Sequence, residues 1–381
     1  MNRITYASCL FGVATLLGGC GDPPAVSDNA NVTAFLGQAD DAEQFARATT
    51  VRDFAFPADH GAHPRFRTEW WYLTGHLRDT NNRHFGMQLT FFRFALPPSA
   101  ERRSGSMASD QLWMAHAAIT DTDGNAFYTA ERLQRGALGM AGVTASPFRV
   151  SLDDWSMAST GETLFPMALK AGTDQFSLDL TAKRGKPLVL QGDRGLDAKG
   201  AEPGNASYYY SYTRLPATGR VSIAGTNHEV AGTIWMDREW STSVLGDNVE
   251  GWNWFALQLD NGHDLMVYRL RQKDGSTSPF SGGVVVDPAG NVIARLSAEQ
   301  IALEPIASWT SPVSGARYEV SWQLGIEDLN IALQLTPVIE NQELNLTVRY
   351  WEGALNVAGS YDGSEVGGMG YAEHAGVSAA R

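Results

Sequence analysis

The chain has 381 residues and a formal net charge of −13, with 42 acidic against 29 basic side chains. That balance argues against nucleic acid as a partner, because a phosphate backbone calls for a basic face. The 11 Trp, 12 Tyr, 16 Phe and 39 Gly favour an all-β protein with many turns, since aromatic side chains suit strands and glycine suits turns.

The N-terminal stretch "MNRITYASCLFGVATLLGGC" places Arg3 before an apolar run that ends at Cys20. The run is too short and wrongly flanked for a membrane span. It resembles a bacterial lipoprotein signal over residues 1–19, cleaved before Cys20, whose thiol would carry the lipid. A plain secretory signal with a chance cysteine is the alternative. Cys9 would leave with the signal, so no internal disulfide is expected. An acidic residue directly after the lipid-bearing cysteine is the usual retention signal. Here Gly21 follows and Asp22 comes one later, so the expected location is the bacterial envelope, facing the periplasm, with outer membrane favoured over inner. Residues 20–53, rich in Ala, Asp and Pro, read as a tether with a short helix around Ala42 to Ala48.

From there the chain contains a degenerate copy of itself. "EWWYLTGHLRDTNNRHFGMQLTFFRFAL" parallels "EGWNWFALQLDNGHDLMVYRLRQ", and "AAITDTDGNAFY" parallels "GVVVDPAGNVIA", each a hairpin around a Gly-Asn turn. "FSLDLTAKRGKPLVLQG" then answers to "LNIALQLTPVIENQELNL", and "VSIAGTNHEVAGTIWMDREW" to "LNVAGSYDGSEVGGMGYAEHA". The second copy is the shorter. The excess of the first falls in loop-like stretches, "PPSAERRSGSMASDQ" and "GDRGLDAKGAEPGNAS", as expected of surface insertions. The predicted fold is therefore all-β, two tandem antiparallel units over 54–245 and 246–381. Meanders of this length close into barrels able to hold one small ligand; paired sandwiches also satisfy the pattern.

The strand "WMDREW" puts Trp235, Asp237 and Glu239 on one face and Met236, Arg238 and Trp240 on the other. The two carboxylates fall roughly 6.5 to 7 Å apart along it. In an apolar setting, burial raises a carboxyl pKa, and a protonated Asp237 could act as general acid with Glu239 or a tyrosine orienting water. The alternative is a closing strand whose carboxylate pairs with a buried arginine such as Arg93 or Arg269. In "TEWWYLTGHL", Glu69 and Trp71 share one face, and Trp70, Tyr72 and His76 the other, in a strand buried on both sides. Glu69 is a candidate partner for a basic residue. His116 lies in the apolar strand "WMAHAAITD", as a core histidine or a proton-transfer group. His60 and His63 in "DHGAHP" lie in a loop, and no metal site is expected. No nucleophile elbow, phosphate loop or dinucleotide fingerprint occurs, so no organic cofactor is expected.

The combination "FPADHGAHPRFRTEWWYLTGHL", "YYYSYTRL", "GTIWMDREW" and "YWEGAL…GGMGYAE" resembles the carotenoid 1,2-hydratase (hydroxyneurosporene synthase) and AttH-like family. The resemblance implies two lipocalin-like barrels and an apolar ligand, a lipid or isoprenoid. It also implies an export setting with an ABC-type transporter of the lipoprotein-release kind as possible partner. The hydratase branch carries an acid at the position of Asp237, with Trp235 here where that branch has Tyr. Its upstream His and Trp fall near Tyr208 and Tyr210 of "SYYYSYTRL". Trp235, Trp71, Tyr208, Tyr210, Tyr212 and His116 are the expected ligand contacts. Two functions stay open at this point: a tethered binding module, or a cofactor-free hydratase or hydrolase. The copies differ in one respect: Tyr371 and Glu373 answer to Trp235 and Asp237, but Ala375 stands where Glu239 falls.

Overall fold

The computed structural model describes residues 30–31, 42–96, 109–242, 245–246 and 248–377. The signal, Cys20, most of the tether and most of the first insertion lie outside the described residues. Regular structure among those described is β-strand, with four single-turn 3₁₀ segments. The short helix expected near Ala42 is one such turn, Ala42–Gln44.

The strands form two large antiparallel sheets with the same plan. In the first, Thr68–Asp79 lies between His84–Ala95 and Thr226–Ser241. Gln111–Asp121 and Ala126–Arg135 continue one side, and Ala206–Ile223, Phe176–Ala182 and Met167–Gly172 the other. In the second, Val249–Leu259 lies between Asp264–Gln272 and Ser364–Ala375. Gly282–Val286 and Val292–Ser297 continue one side, and Val348–Tyr361, Ile331–Pro337 and Arg317–Ile326 the other. Each of the four repeated sequence segments occupies the same place in both sheets. Each sheet also opens at the same seam, between strands consecutive in the chain: Ala126–Arg135 and Ala141–Ala145, then Val292–Ser297 and Ala302–Thr310. The molecule is thus a tandem of lipocalin-like β-barrels, the product of an internal duplication.

Strands far from the junction alternate buried and exposed, as Phe176–Ala182 does. Strands near it are buried on both faces, as in Thr68–Asp79 and the first half of Ala206–Ile223. One face fills a barrel and the other meets the second barrel. The interior of the first barrel is packed solid around Trp71, Trp113, Trp155, Tyr210, Met236 and Trp240. The outward faces meet in separate clusters built around Tyr72, Tyr209, Trp235, Trp254 and Tyr268, and around Phe94, Met114 and Tyr350. Approach is close: a Cβ on Gly86 would lie 2.7 Å from Ala354 Cβ of the second barrel.

The last part of the expected tether is docked rather than free. Ala48 is fully buried in the first core, the Ala46 amide donates to the Arg65 carbonyl at 2.7 Å, and Tyr208 donates to the Thr50 carbonyl at 2.8 Å. The stretch "GDRGLDAKGAEPGNAS" also departs from a plain surface loop: Leu196–Ala198 pairs with the strand Ala206–Ile223, and Asp197 and Lys199 are buried.

A polar clamp joins the barrels at one edge. Asp264 of the second barrel accepts two hydrogen bonds from Arg214, at 2.6 and 2.9 Å, and one from Thr213 at 2.7 Å. Lys186 adds an ion pair at 2.8 Å. Asp264→Ala should lower stability by about 2 kcal/mol, since Arg214 keeps some access to water while the other donors lose a buried acceptor. Urea denaturation of variant and parent measures it.

Candidate functional site

The face carrying Trp235, Asp237 and Glu239 looks out of the first barrel into the junction, while Met236 and Trp240 join the interior core. Asp237 and Glu239 line a cavity of about 100 Å³ between the barrels. Cavities of this order admit small apolar groups; a dry cavity of roughly 150 Å³ takes up benzene. Its walls are mainly aromatic, with Trp70 and Tyr72 from the first barrel and Trp252 and Trp254 from the second.

Asp237 is held by three donors. Ser211 and the Trp235 indole donate to Oδ1 at 2.5 and 2.7 Å, and Tyr209 donates to Oδ2 at 2.8 Å. The pairing explains the convergence: Ser211 is the cross-strand partner of Asp237, and Tyr209 that of Glu239. Burial pushes the Asp237 carboxyl up to about 6, against those three hydrogen bonds and the nearby Lys199 charge. Burial likewise pushes Glu239 up to about 7, opposed mainly by Lys199 and aided by Asp197 and Asp237. One Glu239 oxygen, Oε1, has no hydrogen-bond partner. Lys199 sits 3.8 Å above the Tyr268 ring and pairs with Asp197. Its ammonium is held charged: the cost of burial is outweighed by Asp197, Tyr268 and Glu239.

The second copy supplies the matching acid. Glu373, the counterpart of Asp237, lines the same cavity and accepts from the Trp252 indole at 2.7 Å. Burial pushes it up to about 7, and the Asp237 charge adds to the rise. Its cross-strand neighbour Glu352 accepts from Tyr72 of the first barrel at 2.6 Å. Burial and the Glu373 charge push Glu352 well above the ordinary carboxyl range. Both carboxyls are therefore held toward their protonated forms, as close carboxyls in an apolar site are.

His116 also lines the cavity. The other expected ligand contacts lie elsewhere. Trp71, Tyr208, Tyr210 and Tyr212 pack inside the first barrel, and Trp235 stands behind Asp237 as its hydrogen-bond donor. In "SYYYSYT" it is the middle tyrosine, Tyr209, that faces the junction. Tyr72 was already on the face opposite Trp71, so its place was readable. Lys199, Glu352 and Tyr350 carried no signal apart from the fold. Neither suggested arginine pairs with Asp237: Arg93 joins Glu69, and Arg269 joins Asn253. His60 bonds Tyr210, and His63 bonds Asp59 and Glu69. No group of three or more metal-ligating side chains occurs among the described residues.

The sequence profile of the AttH-like family matches residues 47–377. The chain belongs to the AttH-like family. Among solved structures, it is similar to an AttH protein of Nitrosomonas europaea, with 32% identity over 87% of this chain and 99% of the other, TM-score 0.77. Kievitone hydratase from Nectria haematococca aligns over 87% of this chain and 96% of its own at 14% identity, TM-score 0.66. CghA in complex with Sch210972 aligns over 91% and 98% at 15% identity, TM-score 0.54. At those identities the last two show the shared fold alone. No sequence among curated proteins matches the chain.

Proposed function

We propose that the junction cavity of this AttH-like protein takes the unsaturated end of an apolar molecule, an isoprenoid or similar lipid, and that Asp237 protonates the double bond held there so that water can add. The observation that carries this is a buried carboxyl facing an aromatic-walled cavity with its pKa near neutrality. Such a group can donate a proton and be reloaded at ordinary pH. Trp70, Tyr72, Trp252 and Trp254 line the cavity, and aromatic rings at close range stabilise a cation such as protonation creates. Asp237 is held in one orientation by three donors, while Glu239 and the Glu352–Glu373 pair keep further protons nearby. The kievitone hydratase fold supports the reading as an analogy only. We further propose, from "LLGGC", that Cys20 carries a lipid that anchors the barrels on the periplasmic face of the envelope.

The test is incubation of the protein with squalene, geranylgeraniol and a bacterial apolar-lipid extract in oxygen-18 water. The expected product is the alkene plus one labelled water, detected by mass spectrometry. A protein that carries apolar molecules in native mass spectra yet adds no label would be a binding module. One that does neither would sink both readings.

A further inference from the structure

His116 is fully buried and has both ring nitrogens engaged. Nε2 lies 2.9 Å from Glu131 Oε2, and Nδ1 lies 2.8 Å from the Tyr350 hydroxyl oxygen. Thr347 donates to the other Glu131 oxygen at 2.6 Å. The Glu131 side chain is 18% exposed, whereas that of His116 is not exposed at all. His116 and Tyr350 both line the junction cavity. The three residues thus connect the cavity with solvent, and they come from both barrels.

The duplication sharpens the point. Tyr350 answers to Tyr209, since each stands two residues before the cross-strand partner of its copy's acid: Ser211 for Asp237, Glu352 for Glu373. In the first copy the tyrosine donates to Asp237. In the second it turns to a histidine contributed by the other barrel. The cavity therefore has one tyrosine committed to an acid and one committed to a base.

Resting on the hydration reading above, we propose that Tyr350, His116 and Glu131 form the general-base relay that deprotonates the attacking water, with Tyr350 as the group that touches it and His116 and Glu131 acting through Tyr350. Burial works against the charge of Glu131, but the hydrogen bonds from His116 and Thr347 outweigh it and hold the group below the ordinary carboxyl range. An ionised Glu131 accepts the Nε2 proton, which leaves Nδ1 bare to accept the Tyr350 O–H. The Tyr350 oxygen then has lone pairs free for a water in the cavity. Protons balance. Asp237 gives its proton to a carbon of the double bond, and the water oxygen bonds the other carbon. That water loses a proton to Tyr350 as Tyr350 passes its own to Nδ1. The resulting imidazolium, stabilised by Glu131, returns its Nδ1 proton through Tyr350 and the next cavity water to Asp237, which restores both the acid and the starting Nε2–H tautomer.

The test has two arms on the intact protein. Nitrogen-15 NMR of histidine-labelled protein at neutral pH, assigned by the His116→Gln difference, should show a proton on Nε2 and none on Nδ1. Tyr350→Phe should then shift Nδ1 alone. A proton on Nδ1, in the other tautomer or in an imidazolium, would overturn the relay. The second arm follows squalene and geranylgeraniol in deuterated oxygen-18 water. Tyr350→Phe should cut oxygen-18 addition by about a hundred-fold while deuterium exchange into the recovered alkene, which needs only Asp237, stays within about two-fold. Equal loss of both would make Tyr350 structural, and loss of neither would remove it from the reaction. If the parent changes neither probe, or Asp237→Asn keeps full activity, the hydration reading fails, and the NMR arm alone decides whether the relay geometry exists.

Discussion

Asp237→Asn is expected to lose roughly a hundred- to ten-thousand-fold in water addition, the range for removing a general acid, without a fall in melting temperature at pH 8. The amide suits the site. Its oxygen can accept from Ser211 and the Trp235 indole as Asp237 Oδ1 does, and its nitrogen can donate to the Tyr209 oxygen. The sign of the stability effect follows from the raised pKa. A carboxyl near 3.8 in the unfolded chain and about 6 in the fold favours folding fully below the lower value. That contribution is lost as pH rises through the upper one. Asparagine has no such dependence. Relative to the parent, the variant should therefore gain up to about 3 kcal/mol between pH 4 and pH 8. Urea midpoints at the two pH values measure the gain. A variant that is inactive only because it unfolds, with no pH-dependent gain, would make the carboxyl structural.

The duplication was legible because each copy repeats the same order of strands and turns, and the Gly-Asn hairpins fixed the register of the comparison. Alternation also separated Trp235, Asp237 and Glu239 from Met236, Arg238 and Trp240. It could not say which face looked inward, because both are apolar enough to be buried. In a lone barrel the aromatic face with the larger side chains is the natural candidate for a ligand lumen. Here Trp71, Tyr208 and Tyr210 instead fill that lumen. The site is assembled from the outer faces of two barrels, so its parts are scattered from Trp70 to Glu373. Lys199 lay in a glycine-rich insertion that had the composition of a surface loop. His116 was visible as a buried histidine, but its partners Glu131 and Tyr350 become neighbours only when the barrels dock. The asymmetry between Glu239 and Ala375, by contrast, was readable in the repeat, and both residues lie at the junction.

Glu69→Gln should destabilise the protein by about 3–5 kcal/mol, the cost of removing one partner from a buried ionic cluster. Glu69 has no exposed side-chain surface and contacts both Arg93 and Arg238, themselves unexposed. It also accepts from the His63 amide at 3.0 and 3.1 Å. Arg238 lies 3.9 Å over the Trp71 ring, and Arg93 donates to the His63 and Phe66 carbonyls. A neutral Gln leaves two buried guanidiniums without a counter-charge, and an aromatic face and carbonyls cannot replace one. Glu69→Gln with Arg238→Met should recover part of the loss, because the double variant removes one of the stranded charges along with its partner. Urea midpoints of the single and double variants decide it, and a double variant no more stable than Glu69→Gln would contradict the charge argument. The same cluster fixes how stability depends on pH. Burial raises the Glu69 pKa, but Arg238, the His63 hydrogen bond and Arg93 more than offset it and hold the group far below the ordinary range. Its stabilisation is present above the unfolded value and is lost as pH falls through the depressed one. The junction carboxyls act in the opposite sense, losing stability as pH rises through about 6 for Asp237 and about 7 for Glu239 and Glu373. Taken together, these carboxyls favour folding most near their unfolded values, at about pH 4. Because Arg238 and Asp237 are neighbours on opposite faces of one strand, the cluster inside the barrel also holds the backbone that presents the acid to the cavity.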